Sequence, residues 1–461
     1  MASDKIIVIG AGMGGLTAAA WLAGNGRQVL VLEARQGPGG FASRFTVDGY
    51  TFDSGPYILL DRQGLEWAFG ELREDLASHL NLQKVDGIYQ VEREDGPTVS
   101  VFGSLEATAA ELDGTWPGAG TRYARFVARM GKAYERLRPL QFTSRPGPGA
   151  LLRHGALGQV PFLLRPLSSV LHAAGLPREV VQALSIWTHV AGQRAEEAPS
   201  PMAFVPALIH RYGAYVPKGG IAAVPAALER IARKAGAEFR YGARVRRIRC
   251  ANGRVSGIEV DGEMIEAKAV VSNAGAIGTY LSLLEGVRER FARSLRKLPL
   301  QSPGVCAYLA VEGPPRPPYL RFRLPKRGLC RLLVQPGVVD PSLSNTARLL
   351  GPVSHAWAQR TGPNGQRAYL EKLLGERWWR DSFTEARTLA SRVPDEWGNE
   401  FNLYADSMNP VMTAKLMLRG RIAHKSPIVE GLYFAGSSTH PGQWVSFCAI
   451  SGILAAREVA C

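Results

Sequence analysis

The chain opens on a four-residue apolar run, Ile6-Ile7-Val8-Ile9, closed at once by glycine. An unbroken run of this length marks a strand buried on both faces, whereas a half-buried strand alternates apolar and polar. Leu16, Ala19, Ala20 and Ala23 then recur at helical spacing until Gly24-Asn25-Gly26, and a second run, Val29-Leu30-Val31-Leu32, ends in Glu33. Lys5 to Ala34 is therefore expected to fold as strand, turn, helix, strand. The buried-strand pattern returns at Ala269 to Gly275 and at Ile428 to Gly436, the latter followed by a turn and a closing helix over Val445 to Val459.

Between these segments the pattern is mixed. Phe45 to Phe52 predicts a hairpin turning at Asp48-Gly49, and Asn252-Gly253 and Asp261-Gly262 predict two more turns among strands over Glu238 to Tyr241, Val245 to Arg249 and Val255 to Val260. The chain is thus expected to re-enter its first sheet after a small antiparallel excursion. Amphipathic helices are predicted over Leu65 to Leu82, Tyr123 to Leu137 and Ile221 to Ala235. Ser200 is expected to cap another, with Pro201 in its first turn. Pro139 to Pro177 mixes proline, leucine, phenylalanine and arginine, which predicts either a proline-broken helical lid or a segment lying in a bilayer interface. Residues 280–415 share that texture. Pro314-Pro315-Arg316-Pro317-Pro318 reads as a loop between strands, and Arg377-Trp378-Trp379-Arg380 as a partly buried helix face, with an interfacial anchor as the alternative.

The chemistry begins in the first turn. Gly10-Ala11-Gly12-Met13-Gly14-Gly15 spells G-x-G-x-x-G: Gly10 for the tight turn, Gly12 for backbone approach to a pyrophosphate, Gly15 for helix–strand packing. The helix that follows offers unpaired N–H groups to phosphate. Glu33, 18 residues after Gly15, is placed to accept from ribose hydroxyls and would repel a 2′-phosphate, which argues for a dinucleotide other than NADP. A second glycine pair, Gly39-Gly40, follows, with Arg35 and Arg44 in the same loop. A nicotinamide site has no need of it; a larger flavin dinucleotide, extended across the domain, would use it, the alternative being a loop with convenient turns.

Composition adds bounds. The chain of 461 residues is long enough for two or three domains, and 46% hydrophobic and 21% charged residues suit a folded soluble protein. The net charge of +15 arises from 44 arginines and 11 lysines against 40 acidic residues. It predicts a basic face for anionic headgroups or phosphates, and no recognition motif supports nucleic acid. Cys250, Cys306, Cys330, Cys448 and Cys461 are scattered without C-x-x-C spacing, which predicts a reducing compartment and no metal site. The first residues lead directly into a strand and no long apolar span follows, so the expectation is a cytoplasmic protein without signal peptide, peripheral on the inner face of the membrane where it meets one.

Taken together, VIGAGMGGLTAAAWLAGNGRQVLVLEA, GYTFDSGP, YVPKGGIAAVPAALERIARKAGAEF with RVRRI, VVSNA and GLYFAGSSTHPG resemble the carotenoid (phytoene) desaturase-like branch of the FAD-dependent amine oxidase superfamily. The resemblance spans both ends and the middle, under half of the chain. It implies an α/β fold: a discontinuous Rossmann-like FAD-binding domain of the GR2 type, a mixed α+β substrate domain and a helical, membrane-associating insertion. The implied divisions are FAD-binding parts at 1–75, 201–279 and 421–461, a helical lid and substrate region at 76–200, and a substrate domain at 280–420.

It further implies FAD held by Gly10, Gly12, Gly14 and Gly15 at the pyrophosphate and by Glu33 at the ribose, with Val245 at the adenine. Gly39 and Gly40 lie under the flavin half, and Gly436 to Gly442 meet the ribityl chain and ring, with Ala34, Arg35, Phe41, Gly55, Pro56, Asn273 and Thr439 beside them. Phe41 stands where the family often has arginine, so Arg44 is expected to take the phosphate contact. Trp444 puts a large ring where a small residue leaves room, which bears on whether a full-length carotene fits. The implied reaction is desaturation of an apolar isoprenoid or polyene by hydride transfer to flavin N5, with oxygen or a quinone as electron acceptor and an anionic membrane surface as candidate partner. No proton acceptor stands out. His440 reads as a loop cap, Lys218 as a solvated loop lysine or a cavity residue, and Cys448 as a small packing residue. The rival readings are a redox-neutral polyene isomerase or saturase, an amine oxidase, and a non-catalytic prenyl carrier related to Rab GDP-dissociation inhibitors.

Overall fold

Ile6–Ile9 lies at the centre of a five-stranded parallel sheet ordered Leu432–Phe434, Ala269–Ser272, Ile6–Ile9, Val29–Glu33, Glu238–Tyr241. This computed structural model describes residues 4–417 and 419–461. Both faces of the sheet are covered, which is why its strands are unbroken apolar runs. Ile6 and Val8 pack with Leu16 and Ala449, from helix Met13–Gly24 and the closing helix Val445–Ala460. Ile7 and Ile9 pack on the other side with Ile248, Ile258 and Val260 of a three-stranded antiparallel sheet, Val245–Ala251, Arg254–Val260 and Glu263–Glu266. Burying each such aliphatic side chain contributes roughly 1.5–3 kcal/mol.

The two helices on the first face sit close together because Gly452 lacks a side chain. A Cβ there would collide with the Gly14 carbonyl oxygen and stand 2.9 Å from Thr17 Cβ. Asp48 and Gly49, at φ 49° and 80°, make the tight turn of the hairpin Arg44–Val47/Tyr50–Asp53.

A mixed seven-stranded sheet forms the second half of the molecule, ordered Glu385–Arg392, Val305–Glu312, Thr346–Gly351, Arg331–Val334, Leu320–Leu324, Gly87–Arg93, Val99–Phe102. Five of its strands come from residues 305–392, so the helical texture expected for 280–415 is corrected. Val305–Glu312 is buried along nearly its whole length, and strands covered on both faces lose the alternation by which strands are recognised. The proline run links two of these strands, as expected. Trp379 is buried, its Nε1–H donating to Leu373 O at 3.1 Å, while Arg377 and Arg380 are exposed, so the segment is a partly buried helix face.

Other expectations shift by a few residues. The helix predicted over Leu65 to Leu82 is two, Arg62–Glu71 and Leu76–His79, broken at Arg73 with φ 61°, and Leu82 begins a strand. Ser200 lies inside a 3-10 turn, Ser200–Phe204, whose cap position is Pro199. Glu238–Tyr241 belongs to the edge of the parallel sheet and not to the antiparallel excursion. Ala119–Leu137 is a 19-residue helix, and the proline-broken stretch after it folds as short helical pieces, among them Pro148–Arg153, Val160–Leu163 and Leu167–His172. Among the described residues no helix is long and apolar enough to cross a membrane.

Candidate functional site

The carboxyl ends of four parallel strands open into one cavity of about 710 Å³, where ligands of open α/β sheets bind. Gly10, Gly12 and Gly14 line it after the first strand, Glu33, Ala34 and Arg35 after the second, Asn273 after the third, and Gly436 after the fourth. Gly39, Gly40, Phe41, Gly55, Pro56, Val245 and Trp444 complete the set of expected residues found in its wall.

The glycines are there for close approach. A Cβ on Gly14 would stand 2.5 Å from Gly436 N and 2.8 Å from Asn273 Oδ1, and one on Gly12 would collide with Asn273 Nδ2. The helix that follows has no side-chain cap and no acid in its first turn, so its N-terminal N–H groups are left to a ligand. Gly39 N donates to Ala11 O at 2.7 Å, laying the second glycine loop against the first. Glu33 is buried, its two oxygens accepting from Ala11 N at 2.7 Å and Arg35 N at 2.9 Å. An ionised carboxylate has about four acceptor sites, so both oxygens keep a lone pair for hydroxyls.

Six expected residues lie outside the cavity wall. Gly15 is packed beneath the turn, where a Cβ would meet Gly10 O. Thr439 braces the last turn, donating to Gly436 O at 2.9 Å beside Ser451 Oγ at 2.6 Å. Gly442 accepts from Cys448 Sγ at 3.7 Å. Arg44 is corrected: it is exposed on the hairpin and donates to Gly219 O at 3.0 Å, since its strand turns it away from the glycine loops. Lys218 is exposed on its loop. His440 is paired with Leu140 O at 2.7 Å, and burial pushes it down to about 3, which keeps it neutral.

The cavity continues beyond the glycine turns into an apolar chamber that no local pattern disclosed. Tyr57, Leu60, Trp187, Val190, Met202 and Leu350 line it, brought together from the hairpin exit, two helices and the second sheet. Trp444 lines the same cavity, stacked on Phe447 at 4.9 Å at the uncapped start of the closing helix. Cys448 lines the same wall, its thiol pushed up to about 12 by burial, so it stays protonated.

Two buried charges in the wall were also missed. Arg348 donates to Gly55 O at 2.6 Å, fixing the loop after the hairpin. Asp61 accepts from Gly64 N at 3.1 Å and from Ser446 Oγ at 3.0 Å. An aspartate ahead of a helical pattern is a readable cap signal; that it faces a cavity is not.

Residues 13–460 match the family described as flavin containing amine oxidoreductase. The chain belongs to this family. The flavoprotein is 30% identical to a zeta-carotene-forming phytoene desaturase of Myxococcus xanthus, over 99% of this chain and 93% of that one. It is 27% identical to a neurosporene-forming phytoene desaturase of Cereibacter sphaeroides, over 99% and 94%. These relatives place it in the carotenoid desaturase-like branch. Its fold matches the crystal structure of an oxidoreductase from Methanosarcina mazei with TM-score 0.68, at 18% identity and over 97% and 99% of the two chains. It is an FAD-dependent oxidoreductase, and the cavity fits that cofactor: a glycine cradle that any Cβ would fill, an uncapped helix start and a carboxylate with free lone pairs.

Proposed function

We propose that this flavoprotein introduces C=C bonds into an apolar isoprenoid or polyene chain. The observation that carries the reading is the continuity of the glycine-lined groove with a chamber walled by Tyr57, Leu60, Trp187, Val190, Met202 and Leu350. An apolar substrate is held there by exclusion of water, and both curated relatives named above are phytoene desaturases.

In this reading the backbone of Gly12 and Gly14 and the start of helix Met13–Gly24 hold the pyrophosphate, Glu33 the ribose, and Val245 the adenine. Asn273 and Gly436 bear on the middle of the cofactor, and Trp444 with the start of the closing helix on the ring. Arg35 serves indirectly: it bonds Ser43 Oγ at 2.8 Å and Glu400 Oε1 at 3.0 Å and stacks over Phe401, bracing the second glycine loop. Bound FAD supplies a two-electron acceptor for hydride. Trp444 limits how far a chain advances into the groove and so sets which bond reacts.

The substrate enters from a membrane surface in this reading. Leu152, Leu157 and Leu164 are exposed by 67%, 46% and 54%, beside Arg153, His154 and Arg165. Phe162, in the same stretch, stacks on Phe204 at 5.3 Å, two residues from Met202 of the chamber.

Purified protein is expected to be yellow and to bleach without oxygen on addition of phytoene or zeta-carotene, with a product longer in conjugation. A colourless protein that takes up no FAD favours a prenyl carrier, and conversion without net bleaching favours an isomerase.

A further inference from the structure

Three carboxylates line the cavity, and their surroundings separate them. Glu33, at the end of the second strand, is bound by two backbone N–H groups. Asp406, in the turn Tyr404–Asp406, is half-exposed and accepts from Gln359 Nε2 at 3.2 Å. Asp61 is buried and hydrogen-bonded to Ser446, which joins it in the cavity wall beside Trp444 and Val445 at the start of the closing helix. It is the carboxylate of the three whose chain neighbour Leu60 and partner Ser446 both line the cavity.

We propose that Asp61, steadied by the Ser446 hydroxyl, is the group that takes the substrate's proton during desaturation. The proposal rests on the desaturation reading. One C–H bond of the substrate gives its hydrogen and electron pair to FAD. The adjacent C–H bond breaks with its proton going to an Asp61 oxygen, and its electron pair closes the new C=C bond. The carboxylate makes two hydrogen bonds, with Gly64 N and Ser446 Oγ, and so keeps lone pairs for a third partner.

Its neighbours suit the task. Burial raises the proton affinity of Asp61, while the bonds from Gly64 and Ser446, the Arg138 guanidinium and the Tyr134 hydroxyl oppose that rise. Burial prevails. Tyr134, on helix Ala119–Leu137, has a buried hydroxyl near Asp61, and burial together with Asp61 holds it protonated. A buried carboxylate with a raised proton affinity is better matched to neutral pH than an exposed one.

Asp61 also caps helix Arg62–Glu71, so the diagnostic substitution is Asp61→Asn, which can cap the helix and accept from Ser446 but cannot take up a proton. With full-length FAD-loaded protein, anaerobic bleaching by phytoene is expected to slow by about 10²–10⁴-fold in the variant, at unchanged FAD content. The rising limb of the wild-type pH profile should vanish with it. Ser446→Ala, which leaves charge and cap in place, should move that limb to higher pH. A readout without turnover accompanies these. Folded Asp61 keeps its proton to higher pH than the unfolded chain, so wild-type stability falls, relative to Asp61→Asn, as pH rises through that window. Bleaching of Asp61→Asn within about threefold of wild type, or a pH limb unmoved by Ser446→Ala, overturns the proposal. A wild type that no polyene bleaches removes the desaturation reading and the proposal with it; a bleaching wild type with an unimpaired variant removes the proposal alone.

Discussion

A histidine next to a flavin groove invites a role in proton transfer, and the surroundings of His440 deny it one. Its Nε2–H donates to Leu140 O, and burial lowers its proton affinity from an ordinary value of 6.5 to about 3. The folded state therefore binds fewer protons than the unfolded chain between about 6.5 and about 3. Stability from this residue is complete above that window and is lost as pH falls through it. His189, pushed down to about 4 by burial, acts in the same direction. His440→Gln, whose amide can still donate to Leu140 O, should flatten the fall in melting temperature between pH 6.5 and pH 4 while leaving activity at pH 7 nearly unchanged. Parallel melting curves for variant and wild type would show that the histidine does not titrate on unfolding. The place of Glu33 in the cavity wall was readable because it follows from counting along one strand–helix–strand unit. Arg44 was misread because its neighbour in space, Gly219, lies 175 residues away.

At the scale of elements, the first helix is fixed by what crosses its start. Gly14 lies under the backbone of Gly436, whose N and Cα would stand 2.5 Å and 2.8 Å from an added Cβ and whose N–H donates to Ser451 Oγ at 2.9 Å. A methyl group at Gly14 cannot be absorbed by a side chain swinging aside. Gly14→Ala should therefore lower stability by about 1–3 kcal/mol, as overpacking does, and should also cut the FAD content of purified protein. Gly24→Ala is the matched control. Nothing lies within 4 Å of the added carbon, and alanine favours helix over glycine by up to about 1 kcal/mol, so its melting temperature should rise with FAD content unchanged. Absorbance at the flavin band against protein, with thermal melting, reads both. The hairpin and the Asn252-Gly253 turn were legible because two residues decide them. The strand Val305–Glu312 was not, because burial on both faces had removed its alternation.

For the whole molecule, the basic charge and the exposed leucines make one argument. Leu152, Leu157 and Leu164 lie within thirteen residues of one another, between Arg145 and Arg178, on a chain of net charge +15. Fully burying a leucine is worth roughly 1.5–3 kcal/mol, and each basic residue near an anionic surface adds about 1 kcal/mol. The protein is expected to float with anionic vesicles and less so with neutral ones. Changing the three leucines to serine should reduce vesicle binding at least tenfold and abolish turnover of vesicle-borne substrate, while detergent-dispersed substrate is still converted. Unchanged flotation of the triple variant would exclude this face as the docking surface.

The division between sequence and tertiary structure follows range. Apolar runs, glycine turns and the acid after the second strand are set by neighbours within some thirty residues, so the dinucleotide unit, the parallel sheet and the cofactor class could be read from residue order. The apolar chamber, the pairing of Asp61 with Ser446 across 385 residues, and the withdrawal of Arg44 and His440 from the cavity depend on which distant surfaces exclude water together. Burial of that kind is a property of the assembled chain, and only the packed molecule decides it.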